Sequence, residues 1–180
     1  MQGLDLQVFL QNWIAPLTTL DPTLVRPRWQ AEPANIPTAG DAWCALGPGD
    51  RTSDTFPYVS QLGDNGAYLQ RQEQFTLLCS FYDLGSTGLA DMYASLLRDN
   101  LAIPQNREPL YAAGFALAYV EGMRVAPTLK STRWLYRMDL PIVMRRQIDR
   151  NYNVLTVESL DATLTTDSGL VREIVVDAGD

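Results

Sequence analysis

Gln74-Phe75-Thr76-Leu77-Leu78-Cys79-Ser80-Phe81-Tyr82 opens the part of the chain that decides the fold. Phe75, Leu77, Cys79 and Phe81 fall on one side of an extended backbone, and Gln74, Thr76, Ser80 and Tyr82 on the other. That two-residue period is the signature of a strand with one buried face. Working outward, Leu89, Met92, Tyr93, Leu96, Leu97 and Leu101 recur at helical spacing as one apolar stripe. A short strand, Phe115 to Glu121, follows. Trp134, Tyr136, Met138, Leu140, Ile142 and Met144 then line one face of another strand. Strand, helix, strand, strand over 68–144 predicts an α+β protein, a sheet with a helix laid on it. The pattern specifies an architecture and no reaction.

Upstream, Leu6, Phe9, Leu10, Trp13, Ile14 and Leu17 predict a helix over about 4–15, with Pro16 ending it. Asp21-Pro22 reads as an N-cap followed by proline at the first helical position, and Arg26-Pro27 closes that short turn. Prolines 27, 33, 37, 48 and 57, with glycines 40, 47 and 49, then mark a long Pro-rich stretch. Only Ala42 to Leu46 reads as a strand within it. Trp29 and Trp43 gain most from burial, so residues 26–57 are expected to be an ordered, extended arm that packs on its own domain or on a neighbouring subunit. Phe56 to Leu62 and the strand from Tyr68 form a hairpin around Gly63-Asp64-Asn65-Gly66, since Asn-Gly suits a turn with positive φ. Its polar run Gln70 to Gln74 is expected to project into solvent or against a partner.

Beyond the first strand, Ser86 or Thr87 is the expected cap of the following helix, with Asp91 in its first turn, and Asn100 and Pro104 end it. The stretches 104–109 and 122–132 read as loops, with 110–114 leading into the next strand. Pro141 donates no backbone hydrogen bond, which predicts an edge or a bulge. Asn151-Tyr152-Asn153 reads as a turn, and 154–164 with 170–176 as a final hairpin. Nothing marks a domain boundary, so 1–180 is expected to be a single domain.

With 180 residues, 46% of them hydrophobic and 19% charged, the chain can bury one full core. Twenty-one acids against 14 bases give a net charge of −7 and a pI near 4.5, which counts against a dedicated nucleic-acid binder. No apolar run approaches the roughly 20 residues of a membrane span, and the N-terminus does not read as a secretion signal. Cys44 and Cys79 sit among apolar residues, as buried, reduced thiols would in a cytosolic setting. The chain has no histidine. This removes the usual general base, the usual metal ligand and every Ser-His or Cys-His arrangement together.

The remaining chemical motifs are weak. Gly47-Pro48-Gly49-Asp50 lacks the Gly-Lys-Ser/Thr ending of a phosphate loop. Gly85-Ser86-Thr87-Gly88 does not match a nucleophile elbow and is better explained as helix capping. No calcium loop and no Cys-x-x-Cys is present, so neither cofactor nor metal is expected. Asp83 and Asp139 are the pair a carboxylate enzyme or ligand-binding domain would use. Arg145, Arg146 and Arg150 form the one basic cluster, with surface charge its plain explanation.

The order of these parts resembles that of tailed-bacteriophage neck proteins, the tail terminators. The features that carry it, over roughly residues 5–165, are the N-terminal helix, the arm with Arg26-Pro27-Arg28-Trp29-Gln30, and Phe56-Pro57-Tyr58-Val59 leading into Gln74-Phe75-Thr76-Leu77. The helix Leu89 to Leu101 and Arg133-Trp134-Leu135-Tyr136-Arg137-Met138-Asp139-Leu140 complete the order. Leu170 to Val176 departs from the pattern, within a C-terminal extension expected over 165–180. The resemblance implies a non-enzymatic virion protein: a twisted, mostly antiparallel sheet with helices on one face and a long Pro-rich arm, assembling as a ring of six copies. Its implied partners are itself, the tail tube protein and a neck or connector protein, with DNA passing through the lumen without specific binding and no membrane. A head-side adaptor or a tube protein is the neighbouring alternative. Exposed hairpins and the arm suit heterologous contacts between copies, and the residues expected to make them are Arg26, Arg28, Trp29, Trp43, Arg51, Asp64, Asn65, Arg71, Arg145 and Arg146.

Overall fold

The structure, a computed structural model, describes residues 4–29, 42–61, 66–84, 88–130, 133–154, 159–165 and 171–177. The chain opens with helix α1 (Leu4–Thr18), a 3₁₀ turn (Pro22–Leu24) and strand β1 (Val25–Pro27), and continues with β2 (Trp43–Ser53), β3 (Tyr58–Gln61) and β4 (Gly66–Asp83). Helix α2 (Leu89–Ala102), a 3₁₀ turn (Pro104–Arg107) and α3 (Glu108–Ala112) follow. The remainder is β5 (Phe115–Val120), β6 (Arg124–Val125), β7 (Thr128–Lys130), β8 (Arg133–Asn153), β9 (Ser159–Thr165) and β10 (Val171–Asp177).

One eight-stranded sheet runs in the order β1-β2-β4-β8-β5, with β3 paired to β4 and both β6 and β7 paired to β8. Its pairs are antiparallel except β1 with β2. The expected α+β class with a mostly antiparallel sheet is what the chain adopts. Two compact units are distinguishable, Met1–Thr55 with Arg71–Ile148, and Phe56–Gln70 with Asp149–Asp180.

In the larger unit, Phe75, Leu77, Cys79 and Phe81 of β4 face the core together with Cys44 and Leu46 of β2 and Met138, Leu140, Ile142 and Met144 of β8. The helices cover that face through Leu6, Leu10, Trp13, Ile14 and Leu17 of α1 and Ala90, Ala94, Leu97 and Leu101 of α2. Trp13 Nε1 donates to the Asn106 carbonyl at 2.8 Å, and Asn100 Nδ2 donates to the Leu17 carbonyl at 2.7 Å. These bonds tie α1 to the end of α2 and the turn after it.

Several expectations are corrected at this level. Helix α1 runs on to Thr18 with Pro16 inside it. Pro16 forfeits only the bond to the Asn12 carbonyl, close to the helix end, and the Thr18 hydroxyl closes the last turn by donating to the carbonyls of Ile14 and Ala15 at 3.1 and 3.0 Å. The stripe of α2 is rotated: Ala90 and Ala94 are buried while Met92 is exposed, because small side chains let the helix approach the sheet. β2 is far longer than 42–46 and carries its irregularity between Pro48 and Arg51. Arg26-Pro27 belongs to a strand, 108–112 is helical, and 124–125 and 128–130 are short strands where loops were expected.

β8 extends through 151–153, so the turn expected there is strand, as are Arg145, Arg146 and Arg150. β8 is also interior, and the bulge that Pro141 called for falls on its neighbour β5, between Leu117 and Tyr119. The hairpins expected around 62–65 and in the C-terminal region are present, as β3 with β4 and β9 with β10. The arm residues 30–41, the turn 62–65 and the cap residues Ser86 and Thr87 lie outside the described residues.

Candidate functional site

The pleat sends alternate residues of β4 and β8 to the sheet face away from the helices. There Ser80 and Asp139 meet, the Ser80 hydroxyl donating to Asp139 Oδ1 at 2.6 Å. Arg28 reaches the same serine, Nη1 to Oγ at 3.2 Å, and Arg137 pairs with Asp139 Oδ2 at 3.0 Å and with Thr128 Oγ1 at 3.0 Å. Ser80 and Asp139 are buried, so each hydrogen bond replaces water that the face excludes. Trp43 stacks on Tyr82 beside them, ring centroids 4.9 Å apart at 8°. Gly47 is required here: a Cβ would lie 2.7 Å from Arg28 Cβ. The root of the arm is thereby fastened flat against the sheet, and Trp29 follows it into solvent, 74% exposed.

On the helix face, Glu73 of β4 accepts from Arg146 of β8, with Arg51 at 3.9 Å and the Arg146 guanidinium 5.8 Å from the Phe75 ring centroid. Arg145 points the other way, Nε donating to Gln74 Oε1 at 3.1 Å, and Gln72 bonds Gln147 at 3.1 Å. The polar run 70–74 is therefore bonded across strands for most of its length, a use of polarity that alternation alone does not reveal. A cleft of about 140 Å³ lies beside this cluster, lined by Leu6, Gln7, Leu10, Pro48, Arg51, Phe75 and Leu77. Gln7 Nε2 is inaccessible to water there and has no acceptor. A shallower polar hollow borders Thr52, Asp54, Gln72, Gln74 and Arg145.

Asp83 and Asp139 do not converge. Asp83 lies on the core face, where its Oδ2 accepts from Leu89 N at 3.1 Å and anchors the start of α2, whereas Asp139 lies on the opposite face. Among the described residues no group of three or more Cys, Asp or Glu could hold a metal. Cys44 and Cys79 are both free and buried. Burial, then the neighbouring Cys79 thiol, pushes the Cys44 thiol well above its usual range. In the smaller unit the Tyr68 hydroxyl donates to Asp149 Oδ1 at 2.7 Å, and the carboxylate raises the phenol's pKa.

Of the other residues singled out from the sequence, Arg26 Nε donates to the Thr23 carbonyl at 2.8 Å. Arg51 is half exposed, and Arg71 Nε is inaccessible and lacks an acceptor. Asp64 and Asn65 lie outside the described residues. Phe56 and Val59, not among the residues expected from the sequence to make contacts, stand 90% and 57% exposed, and Leu129 and Trp134, which face each other across β7 and β8, stand 55% and 68% exposed. Trp134, expected on the buried face with Met138 and Leu140, is 68% exposed. An Asp-free apolar run beside a proline, as in Phe56-Pro57-Tyr58-Val59, was the available signal for the first of these.

The larger unit thus carries its helices on one sheet face and leaves several large apolar side chains of the described residues in solvent. The family model described as phage neck terminator protein matches residues 4–169, and the chain belongs to that family of structural phage neck and tail proteins. No curated protein matches the chain. No helix among the described residues is long and apolar enough to cross a membrane.

Proposed function

We propose that this chain forms a ring of six copies at the phage neck, where it terminates the tail tube and joins it to the head connector. The observation that carries the reading is the family match over 4–169, which spans both compact units. It supports treating 1–180 as one terminator-like domain with a C-terminal extension. The run Phe56, Tyr58 and Val59, exposed together on one short segment, supports assembly, since neighbouring apolar side chains left in solvent mark interaction surfaces. Of the residues expected to make the contacts, Trp29 and Arg51 are the ones with exposed side chains to offer, whereas Trp43, Arg28 and Arg146 are engaged within their own chain; Arg26, Asp64, Asn65, Arg71 and Arg145 complete the proposed set. Net charge −7 suits a channel through which DNA slides, because carboxylates repel phosphates. The ring assembles in the host cytoplasm and works by shape, without catalysis.

Labelling this chain in intact particles tests the reading. Density for a closed ring between tail tube and connector is expected. Label repeated along the tube identifies a tube protein instead, and label on the head side of the connector an adaptor.

A further inference from the structure

The geometry points to the cleft beside α1 as a socket for Phe56 of a second copy of this chain, an inference that rests on the ring reading above. The walls are Leu6 and Leu10 of α1, Pro48 of β2, and Phe75 and Leu77 of β4. At about 140 Å³ the cleft is too small for a cofactor or drug-sized ligand. It is close to the ~150 Å³ that holds a benzene ring in an apolar protein cavity, and so fits one phenyl side chain.

Two polar features say what accompanies that ring. Gln7, also in the wall, has its Nε2 without an acceptor, and a small shift of this side chain would let an incoming backbone carbonyl satisfy it. Arg51 also lines the cleft, and its side chain is half exposed. Phe56 matches both demands. It is 90% exposed, more than any other large apolar side chain among the described residues. Asp54, two residues before it, is the one charge between Thr52 and Gly63 and complements Arg51. The indoles of Trp29 and Trp134 exceed a benzene-sized space. Socket and plug are different patches of one surface, so each copy offers one of each. Contacts of that kind propagate head to tail and close into a ring when the rotation allows.

The test uses the full chain with a benzophenone amino acid at position 56, mixed as light and ¹⁵N-labelled protein and irradiated. Crosslinks between light and heavy chains at Leu6, Leu10, Phe75 or Leu77 are expected. Phe56→Ser should keep the circular dichroism and melting of the parent, yet weaken self-association by at least about tenfold in sedimentation, from the apolar area lost. Arg51→Glu with intact Phe56 should weaken it likewise, and Asp54→Arg combined with Arg51→Glu should restore it. Crosslinks that are intramolecular or map elsewhere overturn the socket while leaving the ring standing, as does a Phe56→Ser variant that associates like the parent. A parent chain that never associates up to millimolar concentration overturns the ring reading and the socket together.

Discussion

Ser80 and Asp139 illustrate how much of this sheet is held by single side chains. The serine hydroxyl joins the Asp139 carboxylate to Arg28, and removing it leaves both without that partner on an excluded face. Ser80→Ala should therefore cost about 1–3 kcal/mol of folding stability in a denaturant titration. An unchanged midpoint would show that the link contributes nothing. The thiols make a second prediction. Cys44 and Cys79 should resist a disulfide-exchange reagent in the native protein and both react in denaturant. The Cys44 pKa is raised in the folded state above its ordinary 9.0. The folded state then holds its proton where the unfolded state has lost it, so the stability involved is intact below about pH 9 and declines as pH rises beyond it. A Cys44→Ala variant should show a shallower alkaline decline than the parent.

At the level of elements, the rotated face of α2 is directly testable. Leu97 is fully buried and Met92 is 47% exposed. Leu97→Ala should cost about 2–5 kcal/mol, whereas Met92→Ala should stay within about 0.5 kcal/mol. Equal costs would restore the stripe expected from spacing. Gly114, at φ 82, ends α3 and turns the chain into β5. Its alanine variant should lose about 1–2 kcal/mol from backbone strain alone, since a Cβ meets nothing there. These elements also show what the sequence could disclose. Strands such as β4 are legible because one face is buried and the period is two, and Asp21 before Pro22 is legible because its cap is local, the carboxylate accepting from Thr23 N at 2.8 Å.

What stayed hidden depends on partners distant in sequence. Nothing local reports that Ala90 rather than Met92 meets the sheet, that Asp83 caps α2 from six residues away, or that β2 continues through Gly47-Pro48-Gly49. The cleft was equally unreadable, because its walls come from three elements. Its plug was visible only as an uncharged aromatic run.

For the molecule as a whole, the acidic balance predicts weak affinity for DNA. Duplex DNA should not be retarded by micromolar protein at about 0.15 M salt, where a binder that neutralises several phosphates still retards it. Retardation that weakens steeply with salt would instead reveal a positive surface that net charge conceals. Assembly through unlike patches is the central claim, and mass with shape in solution tests it most directly. Light scattering on the purified chain at rising concentration, with micrographs of the same samples, should show discrete closed rings of fixed copy number. A single chain mass at every concentration, or filaments that lengthen without limit, would contradict it.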